Sequence, residues 1–144
     1  MTKLLSVKNL SISFKDKTVV KDVSFDLNKN EILGIVGESG SGKSVSALSV
    51  LGLINNAAYS PESSVKLNGK ELMGQSERTL MEVRGGKIGF IFQEPMSSLN
   101  PLHRIGAQIA ESILLHQKAG KDEAKKQTIE LLKKVGLKKT KESR

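Results

Sequence analysis

The sequence predicts an α/β fold. Three observations carry that prediction: alternating apolar residues through the N-terminal third, a continuously apolar segment that breaks into a glycine-rich turn before a helical pattern, and helical spacing from about residue 102 onward. Val7, Leu10, Ile12 and Phe14 outline a first strand, and Val19, Val20, Val23, Phe25 and Leu27 a second, the start of a β meander. Asn28-Lys29-Asn30 supplies turn chemistry before a third predicted strand over 31–36. There, Ile32-Leu33-Gly34-Ile35-Val36 is almost all apolar, the pattern of a central strand covered on both faces. After Gly42 the spacing turns helical over 43–54, with apolar residues on nearly every side, so a buried helix is expected. Residues 55–75 mix turn signals with a short strand at 65–67. A short helix over 76–83 is stopped by Gly85-Gly86, and Lys87-Ile88-Gly89-Phe90-Ile91-Phe92 reads as another buried strand. Beyond the loop 93–101, Ile105, Ile109 and Ile113 recur at helical spacing, and a last helix runs from Lys121 to Val135-Gly136 with Ala124, Thr128, Leu131, Leu132 and Val135 on one stripe.

Composition narrows the function classes. The 144 residues, 38% hydrophobic and 26% charged, suffice for one domain that buries about two-thirds of its unfolded surface. No apolar run approaches the ~18 residues that span a bilayer, and the N-terminal residues alternate instead of forming a signal-peptide h-region, so a soluble, unexported chain is expected. With no cysteine and two histidines, disulfide and zinc chemistry are excluded. The net charge of +8 is concentrated: residues 117–144 contribute +6 of it. A basic tail fits nucleic acid or anionic lipid, but acids in the first turn and lysines in the last also describe the solvated face of an ordinary helix. Aromatics are 3% of the chain and none lies in the tail to stack on bases, so no nucleic-acid partner is expected.

The segment Gly37-Glu38-Ser39-Gly40-Ser41-Gly42-Lys43-Ser44 fits G-x-x-x-x-G-K-[ST]. Such a loop turns successive backbone N–H groups into one cavity to hold α- and β-phosphates, which needs conformations open mainly to glycine. The helix beginning at Lys43 adds its positive N-terminal end, the lysine reaches the β- and γ-phosphates, and the Ser44 hydroxyl is placed to ligate Mg²⁺. Chance placement at this composition yields the pattern about 2% of the time, and the strand-to-helix setting lowers that further. The motif alone points to ATP or another Mg²⁺-nucleotide, held by residues 37–44.

Residues 4–137 resemble the first half of an ATP-binding-cassette domain of the peptide and nickel importer branch. The resemblance is carried by Gly-Glu-Ser-Gly-Ser-Gly-Lys-Ser at 37–44 and by Phe-Gln-Glu-Pro-Met-Ser-Ser-Leu-Asn-Pro at 92–101. It implies a P-loop core with an N-terminal antiparallel β subdomain over 1–101 and the start of a helical subdomain over 102–144. Gln93 then corresponds to the Q-loop glutamine, which contacts the Mg²⁺ and attacking-water region and senses the γ-phosphate; Phe14 takes the place of the aromatic that stacks on adenine. The family's partners follow: membrane permease subunits, a second ATPase subunit as homo- or heterodimer and, indirectly, an extracytoplasmic substrate-binding protein, at the cytoplasmic face of the membrane. The permease-facing surface is expected around 93–117, where Pro95 and Pro101 restrict the loop backbone.

The departures from that pattern are specific. None of the four aspartates (Asp16, Asp22, Asp26, Asp122) follows four apolar residues, as a Walker B acid requires. The one Gly-Gly pair lies before Gln93, so the Leu-Ser-Gly-Gly-Gln signature is absent, and neither His103 nor His116 fits the switch histidine. A truncated domain or fragment is therefore expected to bind nucleotide without turning it over, with uncovered apolar edges at 31–36 and 87–92. A non-catalytic nucleotide- or permease-binding module and another kind of P-loop NTPase are the alternatives.

Overall fold

The computed structural model describes residues 3–94 and 99–137. In chain order its elements are β1 (Lys3–Phe14), β2 (Lys17–Asn28), α1 (Lys43–Val50), β3 (Ala58–Tyr59), β4 (Ser64–Leu67), β5 (Lys70–Glu71), α2 (Glu77–Val83), α3 (Ile105–His116) and α4 (Lys121–Lys134). The chain divides into two compact units, Met1–Met81 and Glu82–Arg144.

The first unit is an antiparallel sheet built around β1. It pairs with β2 along its length, and on its other edge with β4 near Leu5–Lys8 and with β3 near Ile12–Ser13. The three-residue gaps in the apolar pattern, Val7 to Leu10 and Val20 to Val23, have one cause. Each strand carries a bulge there, at Asn9 in β1 and Asp22 in β2, both in the left-handed region (φ 47 each). The extra residue resets the alternation, so Val7, Leu10, Ile12 and Val20 all point into the core. The two bulges brace each other: Asn9 Nδ2 donates to Asp22 Oδ1 at 2.9 Å, and the Asp22 N–H donates to Ser11 Oγ at 2.9 Å. Val65 and Leu67 of β4 complete the buried layer. The Asn68-Gly69 turn, left-handed at both residues, returns the chain into β5. There the Glu71 carboxylate accepts the N–H groups of Val65, Leu72 and Met73 and the Ser64 hydroxyl.

The second unit contains an antiparallel helical pair. α3 and α4 close on Ile113, Ala124 and Thr128, with the Thr128 hydroxyl donating to the Ala124 carbonyl at 2.7 Å. α2 ends at a turn in which Gly85 (φ 75) lies under the His116 ring; a Cβ there would stand 2.6 Å from His116 Nε2.

Several sequence expectations need correction. The segments over 31–36 and 87–92 form no ladder; only an isolated bridge, Arg84 to Ile88, touches the second. A strand is defined by its neighbours, and among the described residues none forms a ladder with either segment. Their side chains stand in solvent accordingly: Ile32, Val36 and Ile91 are over 90% exposed, matching the uncovered apolar edges expected there. α1 stops at Val50 instead of 54 because Gly52 turns left-handed (φ 62) and the Leu53 N–H returns to the Leu48 carbonyl. It is also buried on one side only, through Ser46, Ser49 and Val50. On α4, Leu131 and Val135 are exposed, so the predicted stripe is buried only at Ala124 and Thr128. Among the described residues no helix is long and apolar enough to cross a membrane.

Candidate functional site

The glycine-rich loop lies wholly in the first unit, and three contacts shape it. The Ser41 N–H donates to the Glu38 carbonyl at 3.2 Å, closing a turn with left-handed Gly40 (φ 79) at its third position, where a type II turn needs glycine. Gly42 (φ 93) caps α1, and the first helical bond follows at once, from the Ser46 N–H to the Gly42 carbonyl at 2.8 Å. Gly42 also rests on β2: a Cβ there would meet the Val19 carbonyl oxygen and Val20 Cγ2, each at 3.0 Å. The loop end is thus seated against a strand, and only glycine permits the approach.

Lys43 folds back over this loop. Its ammonium donates to the Gly37 carbonyl at 2.6 Å, the Glu38 carbonyl at 2.6 Å and Ser41 Oγ at 3.3 Å. Three oxygens therefore gather around the cation at the N-terminus of α1, whose first turn carries no acidic residue. The fixed positive end of the helix and the ammonium act together on whatever lies above the loop. Ser44, the second residue of α1, is exposed there. A cavity of about 770 Å³ adjoins the loop, lined by β2 residues 18–21 and 23–25, by 33–37 and by Ser41, Gly42, Lys43 and Ser46.

The structure thus brings together Gly37, Glu38, Ser39, Gly40, Ser41, Gly42, Lys43 and Ser44. Phe14 lies in the same unit, half-buried where β1 turns into β2, and is not part of the cavity lining. Gln93 belongs to the second unit, exposed just past the 87–92 segment. Residues 95–98, in the middle of the 92–101 motif, and 138–144, the end of the basic tail, lie outside the described residues.

Two features escaped the sequence. The seat under Gly42 is made by Val19 and Val20, which read only as strand residues. Gln108 bonds to the backbone of Asn100 and His103; its one signal was a polar residue beside Ile105 and Ile109 on an apolar stripe.

Residues 20–144 match the family model described as ABC transporter. The chain belongs to the ABC transporter family. Within it, the chain is 45% identical over 142 residues to the oligopeptide transport ATP-binding protein OppD of Bacillus subtilis (strain 168), covering 95% of this chain and 40% of that protein. It is 44% identical over 140 residues to the dipeptide transport ATP-binding protein DppD of Lactococcus lactis subsp. cremoris (strain MG1363), covering 94% and 40%. Against the peptidoglycan transport ATP-binding protein YejF of Agrobacterium fabrum the identity is 48% over 139 residues, covering 93% and 26%. The chain thus spans well under half the length of these relatives. Its fold is that of the ATP-binding cassette MJ0796, solved as a dimer in a post-hydrolysis state bound to ADP and Pi, with a TM-score of 0.78, 24% identity, and coverage of 94% of this chain and 58% of that one. The predicted α/β class and its ABC-type portion are therefore the observed ones.

Proposed function

We propose that this chain supplies the nucleotide-binding part of an ABC importer ATPase subunit that energises uptake of peptides. The observation that carries the reading is the loop of residues 37–42 closing onto the N-terminus of α1 with the Lys43 ammonium at its centre. Lys43 is held by neutral carbonyls, which are weaker partners for an ammonium than phosphate oxygens are. An incoming β- or γ-phosphate therefore competes favourably for it, and the backbone N–H groups of the loop and of the first turn of α1 receive the remaining phosphate oxygens. Within the first unit, Ser44, the second residue of α1, is the residue that would ligate Mg²⁺; the family resemblance assigns Gln93 to the ion as well. The ion would supply charge neutralisation between the β- and γ-phosphates.

Peptide cargo is favoured over nickel by the relatives, whose names concern oligopeptides, dipeptides and peptidoglycan. Permease subunits, a second ATPase subunit and a location on the cytoplasmic membrane face belong to the same reading, with Phe14 as the adenine platform and Gln93 as the γ-phosphate sensor. The 144-residue chain itself is proposed to bind ATP without turnover, because none of its residues matches the Walker B acid or the catalytic glutamate. The test is amide mapping by NMR: Mg-ADP should shift the backbone amides of 37–44 and leave those of β4 and β5 in place. Shifts confined to the lysines of α4 would contradict the reading.

A further inference from the structure

We propose that Gln108 is a positioning residue that locks residues 100–103 onto the first turn of α3, so that they and α3 move as one body. Both ends of its carboxamide are used. Oε1 accepts the Asn100 N–H at 3.0 Å, while Nε2 donates to the Asn100 carbonyl at 2.9 Å and to the His103 carbonyl at 2.9 Å. Asn100 is organised in turn, its Oδ1 accepting the Leu102 N–H at 2.9 Å and its carbonyl the His103 N–H at 3.2 Å. The result is a closed ring of hydrogen bonds joining the connection to the helix.

Apolar burial does not hold this connection, since Leu102 is 89% exposed and Pro101 and His103 are exposed as well. The helix end lends little, since Arg104 provides no side-chain cap to α3. One side chain therefore does what packing does elsewhere, and it does so from a helix fastened to α4 through Ile113. A displacement reaching Asn100 would be carried into α3 by the carboxamide. Its link to nucleotide rests on the nucleotide-sensing reading of Gln93; the clamp does not.

The experiment is hydrogen exchange on the 144-residue chain and its Gln108→Leu and Gln108→Glu variants, with and without Mg-ATP. Glutamate keeps the acceptor but turns a carboxylate oxygen toward two carbonyl oxygens, so both variants should release the loop. Without nucleotide, the Asn100 and Leu102 amides of the wild type should open together with the first turn of α3. In both variants they should exchange at least about tenfold faster, with α4 unchanged, since a lost hydrogen bond is worth about that factor. Equal exchange in wild type and variants overturns the clamp. With Mg-ATP, the variants should retain wild-type protection of 37–44 but lose the change in α3 seen in the wild type. An α3 response that survives in Gln108→Leu overturns the positioning role. Absence of protection at 37–44 in the wild type instead contradicts the nucleotide reading and leaves the clamp to be decided by the nucleotide-free comparison.

Discussion

The Lys43 ammonium lies 2.6 Å from the Gly37 carbonyl oxygen, spanning the turn that the same loop makes at Gly40. Loop and lysine are therefore mutually supporting: the carbonyls hold the cation over the loop, and the cation holds the loop closed. Lys43→Ala should loosen the loop while leaving the sheet intact, because the side chain is only half-buried and contributes nothing to the β1–β4 core. The expected stability change is within about 0.5 kcal/mol by denaturant unfolding, as for surface substitutions generally. Faster amide exchange should be confined to 37–42.

Gly42 is a sterner constraint. With φ at 93 and β2 atoms at 3.0 Å from any Cβ, Gly42→Ala meets both a backbone and a packing penalty. A loss of about 1–3 kcal/mol is expected in equilibrium unfolding, together with loss of nucleotide-induced shifts. Gly40→Ala, where nothing lies within 4 Å, meets the backbone penalty alone and should cost less.

Acid should weaken the first unit by a defined route. Hydrogen bonds from Lys3 and Ser6 hold the Asp26 carboxyl down at about 2, against an ordinary value of 3.8, aided by the charges of Lys3 and Lys8. Burial pushes the Glu71 carboxyl up, but the hydrogen bonds from Ser64 and from the N–H groups of Met73, Val65 and Leu72 outweigh it and leave it lowered. A carboxyl whose folded value is depressed stabilises the fold above its unfolded value, and that contribution is lost as pH falls through the folded one. The melting temperature should therefore hold down to about pH 4 and fall between there and pH 2. Asp26→Asn should flatten part of that fall.

The exposed segments 32–36 and 90–92 predict association. Ile32, Val36 and Ile91 present apolar surface on backbone that has no strand partner among the described residues. Dye binding to apolar surface and concentration-dependent sedimentation are expected for the isolated chain, both reduced by Ile32→Lys with Val36→Lys. A sharp melt of a dilute monomer that binds no dye would contradict this.

Local signals were legible where chemistry is short-range. The β1–β2 hairpin, α2, α3, α4 and the loop over 37–44 all follow from alternation, helical spacing and glycine placement. The bulges at Asn9 and Asp22 could have been read from the broken alternation at Val7–Leu10 and Val20–Val23, with an Asn and an Asp tolerant of left-handed backbone inside the gaps. What sequence periodicity could not supply was partnership. The apolar runs over 31–36 and 87–92 have the composition of central strands, yet strand formation requires a neighbouring edge, which no local pattern provides. The Gly42 seat on Val19 and Val20 and the Gln108 clamp are likewise contacts across several residues, 22 or more in one case and five to eight in the other, that no local periodicity encodes.

Turnover separates binding from catalysis. On the proposed reading the P-loop would supply positioning and charge neutralisation, but none of the four aspartates follows four apolar residues as a Walker B acid does. Purified chain should release phosphate from Mg-ATP at no more than background rate, and Lys43→Ala should not change that rate. Sustained release that depends on Lys43 would overturn the assignment of binding without turnover.

The most direct measurement is calorimetric titration of Mg-ATP into the folded 144-residue chain, with Lys43→Ala run in parallel. Saturable one-site binding that weakens at least about tenfold in the variant is the predicted result, the loss of one charge-assisted contact. No binding by the folded wild type at millimolar Mg-ATP, or binding that Lys43→Ala leaves unchanged, would contradict the account.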